Sequence, residues 1–258
     1  MTDVRTDQLV TMLTSPDPHE RDEVAYAQLA RRLSEGTEDG RLGALGDQGA
    51  ALLGHRAVQA RTFGALLVAE VVDRDTVTGE LPAAAVHRWQ DALSRWYLGE
   101  EDLRGWDPAL GWLHAVAHGA DALGALGRSR HTTRDRLAAL LATGRDRVLT
   151  TGDVLLANAE DDRLALAMAL VLTRSELSDD DATGWLDPVQ AAFAAGEPGP
   201  LPPWVSNTSH ALRSLYVLAD RGVATPGKQP EALLAVPHRG AVLAALARTM
   251  RETFPFIG

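Results

Sequence analysis

The sequence lacks several residue types, and each absence excludes a class of site. It has no cysteine, so disulfide bonds, thiolate metal ligands and cysteine nucleophiles are excluded, and packing alone must hold the fold. A chain without cysteine is typical of the cytoplasm, where we expect this protein to be located. Lys228 is the single lysine and Ile257 the single isoleucine, a bias typical of GC-rich bacterial genomes.

Positive charge and long apolar runs are also scarce. The formal net charge is −10 and the isoelectric point is near 5.2. Nucleic acids and anionic membranes attract clustered positive charge, so we expect neither as a partner. No segment approaches the roughly 18 apolar residues of a membrane span. No phosphate-binding glycine loop and no Gly-x-Ser-x-Gly motif is present, so nucleotide-dependent chemistry and serine hydrolysis have no support.

Helical periodicity runs through most of the chain, and strand patterns are nearly absent. Apolar residues recur at helical spacing over residues 21–33 and 50–72, and Pro82 stands at a helix start. Short connectors join such segments, so we predict an all-α fold of stacked antiparallel helix pairs, similar to a HEAT-like helical repeat or solenoid. We expect a single all-helical domain over residues 1–258, with any subdivision near 195–203, the most linker-like segment.

The segment LGWLHAVAHGADAL, residues 110–123, is predicted to be a helix with one polar stripe. At about 100° per residue, His114, His118 and Asp121 fall on that stripe, and the other faces are apolar or small. A helix that is apolar nearly all round is buried. Buried imidazoles and carboxylates need hydrogen bonds, ion pairs or a metal ion, so the three residues of this polar stripe are candidate catalytic residues.

The polar stripe also suggests a metal site. His114 and His118 are four residues apart, which lets two imidazoles share one metal ion. Asp121 lies about 10.5 Å along the helix axis from His114, so it fits better as a hydrogen-bond acceptor for His118 than as a shared ligand. A further ligand would come from another helix, and the candidates are Glu70 and the acidic cluster Glu160, Asp161 and Asp162, with Asp161 the first choice in that cluster. The pattern requires no cofactor, and a divalent Zn or Fe ion is the one it suggests.

The loop EEDLRGWDP precedes the polar stripe and has two interpretations. Arg104 would either direct its guanidinium at a carboxylate or phosphate ligand beside the histidines, or pair internally with Asp102 or Asp121. In the first case Arg104, Trp106 and Trp112 form a candidate ligand-binding set. In the second, Arg104 and the polar stripe satisfy one another in a metal-free network without catalytic function.

The segments EEDLRGW, GWLHAVAHGADAL and NAEDDRLALAMAL resemble a bacterial family of unknown function, domain of unknown function 2785. The resemblance covers about residues 50–175 and implies an all-helical, HEAT-like fold, but it implies no activity. The positions in this chain that match the family's motifs are Asp102, Arg104, Gly105, Trp112, His114, His118, Asp121, Asp161, Asp162 and Arg163.

The sequence leaves several functions open. The first is a helical-repeat binding or scaffold protein for a protein or peptide, with the polar stripe as internal support. The second is a metal-dependent or acid-base enzyme acting on a small molecule, centred on His114 and His118. The third is a pocket beside Trp106 and Trp112 that binds a small molecule without turnover.

Overall fold

Helices make up most of residues 4–196, 199–225 and 233–257, which are the residues that this computed structural model describes. The predicted all-α fold is confirmed, whereas its HEAT-like repeat stays a prediction. Helices α1 to α12 span Thr6–Met12, Ala27–Glu35, Leu42–Leu52, Val58–Thr78, Ala83–Gly99, Ala115–Arg128, Arg134–Leu149, Glu160–Leu172, Asp179–Gly184, Asp187–Ala194, Pro203–Arg221 and Arg239–Arg251. Within the described ranges, no helix combines the length and hydrophobicity that spanning a bilayer requires.

Two short antiparallel strand pairs interrupt the helices. Strand β1 (Trp106–Asp107) pairs with β2 (Gly111–Trp112), and β3 (Val223–Ala224) pairs with β4 (Leu233–Leu234). Each strand has two residues, which is too short for the alternating pattern that would identify it in the sequence.

A π-helix, His19–Tyr26, leads directly into α2. The sequence predicts one α-helix over residues 21–33, and the structure differs in this first part. A π-helix has more residues per turn than an α-helix, so it changes which side chains face the interior. Arg21 and Ala25 are buried here, whereas Ala27 is exposed.

Packing divides the chain into a first unit that ends at Thr132 and a second unit that begins at Thr133. The linker-like segment 195–203 lies inside the second unit, and its residues 197 and 198 are outside the described residues. The single domain over residues 1–258 stays a prediction.

Helix α4 is the central helix of the first unit. It is apolar on nearly all faces, which predicts a buried helix, and it contacts α2, α3 and α6. Helix α5 contacts α3, α4 and α6. Phe63 of α4 contacts His118 of α6, and Asp73 pairs with Arg128 further along both helices. Helices α4 and α6 therefore run parallel, and side chains of α4 contact side chains of α6 at successive positions along both helices.

The second unit is built around α8, which packs against α7 and α11, while α12 packs against α11. A fully buried amide, that of Asn207 in α11, holds the loop before α8. Its Nδ2 donates to the hydroxyl of Thr151 (2.9 Å) and the carbonyl of Val154 (2.8 Å), and its Oδ1 accepts from the Leu156 N–H (3.0 Å). This loop is thereby fixed by a side chain about fifty residues later in the chain.

Candidate functional site

The backbone turns sharply at His114, so the predicted helix over residues 110–123 is wrong at its N-terminal end. Helix α6 begins at Ala115, and His114 is its N-cap residue with φ 49° and ψ 39°, in the left-handed region. A non-glycine residue in this region costs about 1 kcal/mol or more. The His114 carbonyl still accepts the first helical hydrogen bond, from the His118 N–H (2.8 Å). His114 is therefore at the entrance of the helix, with only His118 and Asp121 on it.

The carbonyl of Gly105 holds the chain in this turn. It accepts hydrogen bonds from the N–H groups of Leu113 (2.9 Å) and His114 (3.1 Å). These bonds close a small hairpin formed by β1 and β2, whose second strand ends at Trp112. Helical geometry starts only after the hairpin because the amides of residues 113 and 114 are engaged with Gly105.

Arg21 locks this hairpin to the π-helix. Its side chain is fully buried, and one terminal nitrogen donates to the carbonyls of Leu110 (2.8 Å) and Trp112 (3.2 Å). Its Nε donates to the carboxylate of Asp22 (2.6 Å), which balances the buried charge. Gly111, between the two carbonyl residues, has φ 72°, a conformation that suits glycine.

Aromatic and imidazole rings form a continuous chain from the surface to the interior. The rings of Trp112 and His114 are stacked, with centroids 4.4 Å apart and planes 6° apart. The His118 ring lies 5.6 Å from that of His114 and packs edge-on against Phe63 at 5.2 Å. The Tyr26 ring packs edge-on against that of Phe63, with centroids 5.7 Å apart, and extends the row of rings. These contacts fix the orientation of both imidazoles.

Carboxylates flank this ring chain. The Tyr26 hydroxyl donates to Oε1 of Glu70 (2.8 Å). Burial raises the pKa of Glu70, and the negative charges of Asp73 and Asp121 raise it further. Burial also raises the pKa of Asp22, although Arg21 acts in the opposite direction. The site thus contains carboxyl groups that hold their protons more tightly than exposed ones do.

The site reaches the protein surface. His118 is buried, whereas the other titratable members are only half-buried. These half-buried side chains are therefore partly accessible to solvent. We call this group the histidine site, and it comprises Asp22, Tyr26, Glu70, His114, His118 and Asp121.

Arg104 pairs within its own loop. Its Nε and one terminal nitrogen donate to both carboxylate oxygens of Asp102, at 2.8 and 2.6 Å, and its other terminal nitrogen pairs with Asp107. The guanidinium lowers the pKa of Asp102, as expected for a two-fold charged hydrogen bond. Of the two internal partners that the sequence suggests, the structure has Asp102. Trp106 and Trp112 are the other members of the predicted ligand-binding set. They lie directly opposite each other in the two strands of the hairpin, and they are 53% and 46% exposed.

The predicted metal ligands are divided between the two units. His114, His118 and Glu70 belong to the first unit, whereas Asp161 belongs to the second, where its Oδ2 lies 3.3 Å from Nδ1 of His210. Burial raises the pKa of Asp161. Across the described part of the chain, no group of three or more His, Asp or Glu side chains is placed to hold a metal ion. The metal site stays a prediction.

The sequence did not reveal four residues that form or support the histidine site: Asp22 and Tyr26 of the site itself, and Arg21 and Phe63 beside it. The segment HERDEVAY has the composition of an ordinary solvent-facing helix, and no residue pattern marks it as a π-helix. Phe63 lies in an apolar run that predicts only core packing. Arg21 has its hairpin partners 89 and 91 residues later, which local sequence cannot indicate.

These features define an all-helical protein whose first unit carries a half-buried site of histidine and carboxyl groups. The model of the family described as Protein of unknown function (DUF2785) matches residues 53–217, and the chain belongs to this family. The resemblance predicted from the motifs is thereby confirmed. No curated protein and no solved structure matches the chain. The matched range includes the polar stripe and Glu70, whereas the π-helix with Arg21 and Tyr26 precedes it.

Proposed function

We propose that the protein is an acid-base enzyme that acts on a small polar molecule at the histidine site. One observation supports this above all: two uncommon backbone conformations meet at one half-buried group of titratable side chains. They are the π-helix His19–Tyr26 and the left-handed His114. π-helices and strained residues are frequent at functional sites, as are carboxyl groups with shifted pKa values.

The two half-buried groups best suited to proton transfer are His114 and Glu70. The imidazole of His114 takes a proton from the substrate as a general base, and the carboxyl group of Glu70 gives one to it as a general acid. The raised pKa of Glu70 keeps it protonated to a higher pH than an exposed glutamate, and Tyr26 orients it. His118, buried between His114 and Phe63, is a positioning residue. Solvent restores both protonation states after each turnover.

Metabolite profiling tests this function. The full-length protein is incubated with a bacterial metabolite extract, and mass spectrometry follows substrate loss and product gain. We expect the wild type to convert at least one metabolite, and His114→Gln and Glu70→Gln to lower that rate by about 10²-fold or more. His19→Gln is the matched control, because His19 is exposed and pairs only with Glu23 among the contacts described. If the wild type converts nothing, or if His114→Gln is fully active, the proposal is wrong.

The same assay separates a metal-dependent enzyme from a metal-free one. In the metal-dependent version predicted from the sequence, a chelator abolishes turnover and Zn or Fe restores it. In the version proposed above, the chelator leaves turnover unchanged. Elemental analysis of untagged protein provides an independent measurement, because a resident metal ion is present in stoichiometric amount. Fractionation of the source cells tests the cytoplasmic location that is part of this proposal.

A binding or scaffold role is the second candidate. It is favoured by an apolar cleft of about 720 Å³ in the second unit, lined by Arg213, Tyr216, Val217, Met250, Phe254 and Ile257. Consecutive helices that pack against each other, such as α3 with α4 and α7 with α8, also fit a HEAT-like array, which binds peptides along its faces. The partner would be a peptide with apolar side chains. Selection from a displayed peptide library should give peptides that bind the wild type but not Val217→Asp, and peptides indifferent to Val217→Asp would contradict this role.

A further inference from the structure

Two tryptophans protrude from the hairpin beside the histidine site. The chain has six tryptophans, and Trp106 and Trp112 are about half exposed, whereas Trp89, Trp96 and Trp185 are buried. Trp106 and Trp112 are direct partners across an antiparallel pair, so their side chains extend from the same face of the hairpin. Exposing two indoles on one face of a hairpin is unfavourable in water, and exposed tryptophans are typical of binding surfaces.

The hairpin is a rigid support for these indoles. Asp107 Oδ1 accepts hydrogen bonds from the N–H groups of Ala109 and Leu110, both at 2.9 Å, which fixes the turn between the strands. Arg104 links Asp102 to Asp107 at one end, and buried Arg21 holds the strand at the other. A surface held in this way loses little conformational entropy when a ligand binds. Little of the binding free energy is therefore spent on ordering the hairpin.

Negative charge exceeds positive charge in the loop that carries Trp106. Asp102 and Asp107 both pair with the single guanidinium of Arg104, so one of these two negative charges is not compensated. The guanidinium groups of Arg21 and Arg104 are both hydrogen-bonded to carboxylates, so neither offers a full positive charge to an anion. The whole chain has a net charge of −10. An anionic ligand is therefore repelled, and a cationic one is attracted.

We propose that the ligand of the histidine site carries a quaternary or protonated amine, which binds against the exposed faces of Trp106 and Trp112. Indole is the aromatic side chain that attracts cations most strongly, and the excess carboxylate of the Asp102 and Asp107 pair supplies the counter-charge. The rest of the ligand extends along the ring chain toward His114, where its reacting atoms meet the imidazole. This ligand class rests on the proposed function of the same site.

Binding of choline, compared with its uncharged isostere, tests the ligand class. The isostere has a tert-butyl group in place of the trimethylammonium group, so the two probes differ in charge and not in shape. Titrations of the full chain are followed by NMR of the indole N–H signals. We expect choline to shift the Trp106 and Trp112 signals saturably, with an affinity at least about tenfold above that of the isostere, as a desolvated cation–π contact provides. Equal affinities, no saturable shift, or shifts confined to other tryptophans would overturn the proposal.

Variants separate this contact from a general effect on folding. Trp112→Leu should weaken choline binding at least about tenfold, and Trp106→Leu, at the more exposed position, should do the same without disturbing the stack on His114. Trp204→Leu in the second unit is the matched control and should bind choline like the wild type. Failure of both hairpin variants to weaken binding overturns the proposal.

The outcomes distinguish the ligand class from the catalytic function. If choline binds as expected but His114→Gln leaves turnover unchanged, the acid-base function is wrong and the cation site stands. If turnover depends on His114 but the substrate carries no cationic group and choline does not compete with it, the ligand class is wrong and the acid-base function stands.

Discussion

Replacement of Arg21 by methionine should destabilise the protein by about 2–3 kcal/mol, because it leaves backbone carbonyls without a donor and a half-buried carboxylate without its counter-charge. The arginine is fully buried and bonds to Asp22 and to the carbonyls of Leu110 and Trp112. Methionine has a similar length and keeps the apolar contact with the Phe63 ring, over which the guanidinium carbon now lies at 4.9 Å. The loss is therefore electrostatic: a half-buried carboxylate loses its counter-charge, and three carbonyls, those of Ser15, Leu110 and Trp112, lose this donor.

Urea unfolding, followed by circular dichroism, measures this free energy, and amide hydrogen exchange over residues 110–114 measures the hairpin directly. Arg31→Met is the control, because Arg31 is exposed, and it should change stability by less than about 0.5 kcal/mol. Adding Asp22→Asn to Arg21→Met should recover about 1–2 kcal/mol, since it removes the uncompensated charge. A cost below about 1 kcal/mol for Arg21→Met, with unchanged exchange in the hairpin, would refute the assigned role of the guanidinium.

Three further predictions concern other parts of the molecule. The pKa of Glu70 is raised above its usual 4.5, so its stabilising contribution is complete below that value and is lost as the pH rises through the raised pKa. Glu70→Gln should thus gain stability relative to the wild type as the pH rises above 4.5, and a pH-independent difference in urea unfolding would contradict this. Gly119→Ala should cost about 1–3 kcal/mol, because its Cβ would lie 2.3 Å from the Tyr97 ring, whereas Gly43→Ala, which meets no atom within 4 Å, should not destabilise the protein in thermal unfolding. Asn207→Ala should speed hydrogen exchange in residues 151–156 well above the wild-type rate, and an unchanged rate would show that other contacts hold this loop.

Periodicity in the sequence was sufficient to predict the helical fold, because α4 and α6 are formed and buried by local pattern and hydrophobicity. It correctly placed His118 and Asp121 on one helix. It misplaced His114, because the left-handed turn there depends on the Gly105 carbonyl and on Arg21, whose hairpin contacts are 89 and 91 residues apart in sequence. Propensity alone favours continuing the helix through Trp112, and tertiary hydrogen bonds override it.

The partner of Arg104 was predictable because it is local. Asp102 lies two residues away, so their pairing needs only the loop itself. The environment of Glu70 was not predictable, since Tyr26 reaches it from a π-helix that no sequence pattern marks. The sequence therefore identified the imidazoles of the site, whereas the elements that orient them became visible only through packing between α4, α6 and the π-helix.

The parallel stack of Trp112 on His114 gives the protein an optical reporter at its candidate site. Ring planes 6° apart at 4.4 Å are close enough for electron transfer from an excited indole to a protonated imidazole, which quenches indole emission. Any ligand that changes the charge on His114 should change the brightness of Trp112, and comparison with Trp112→Phe isolates its signal from the other tryptophans. The kinetics of binding can therefore be followed by fluorescence without attaching a dye.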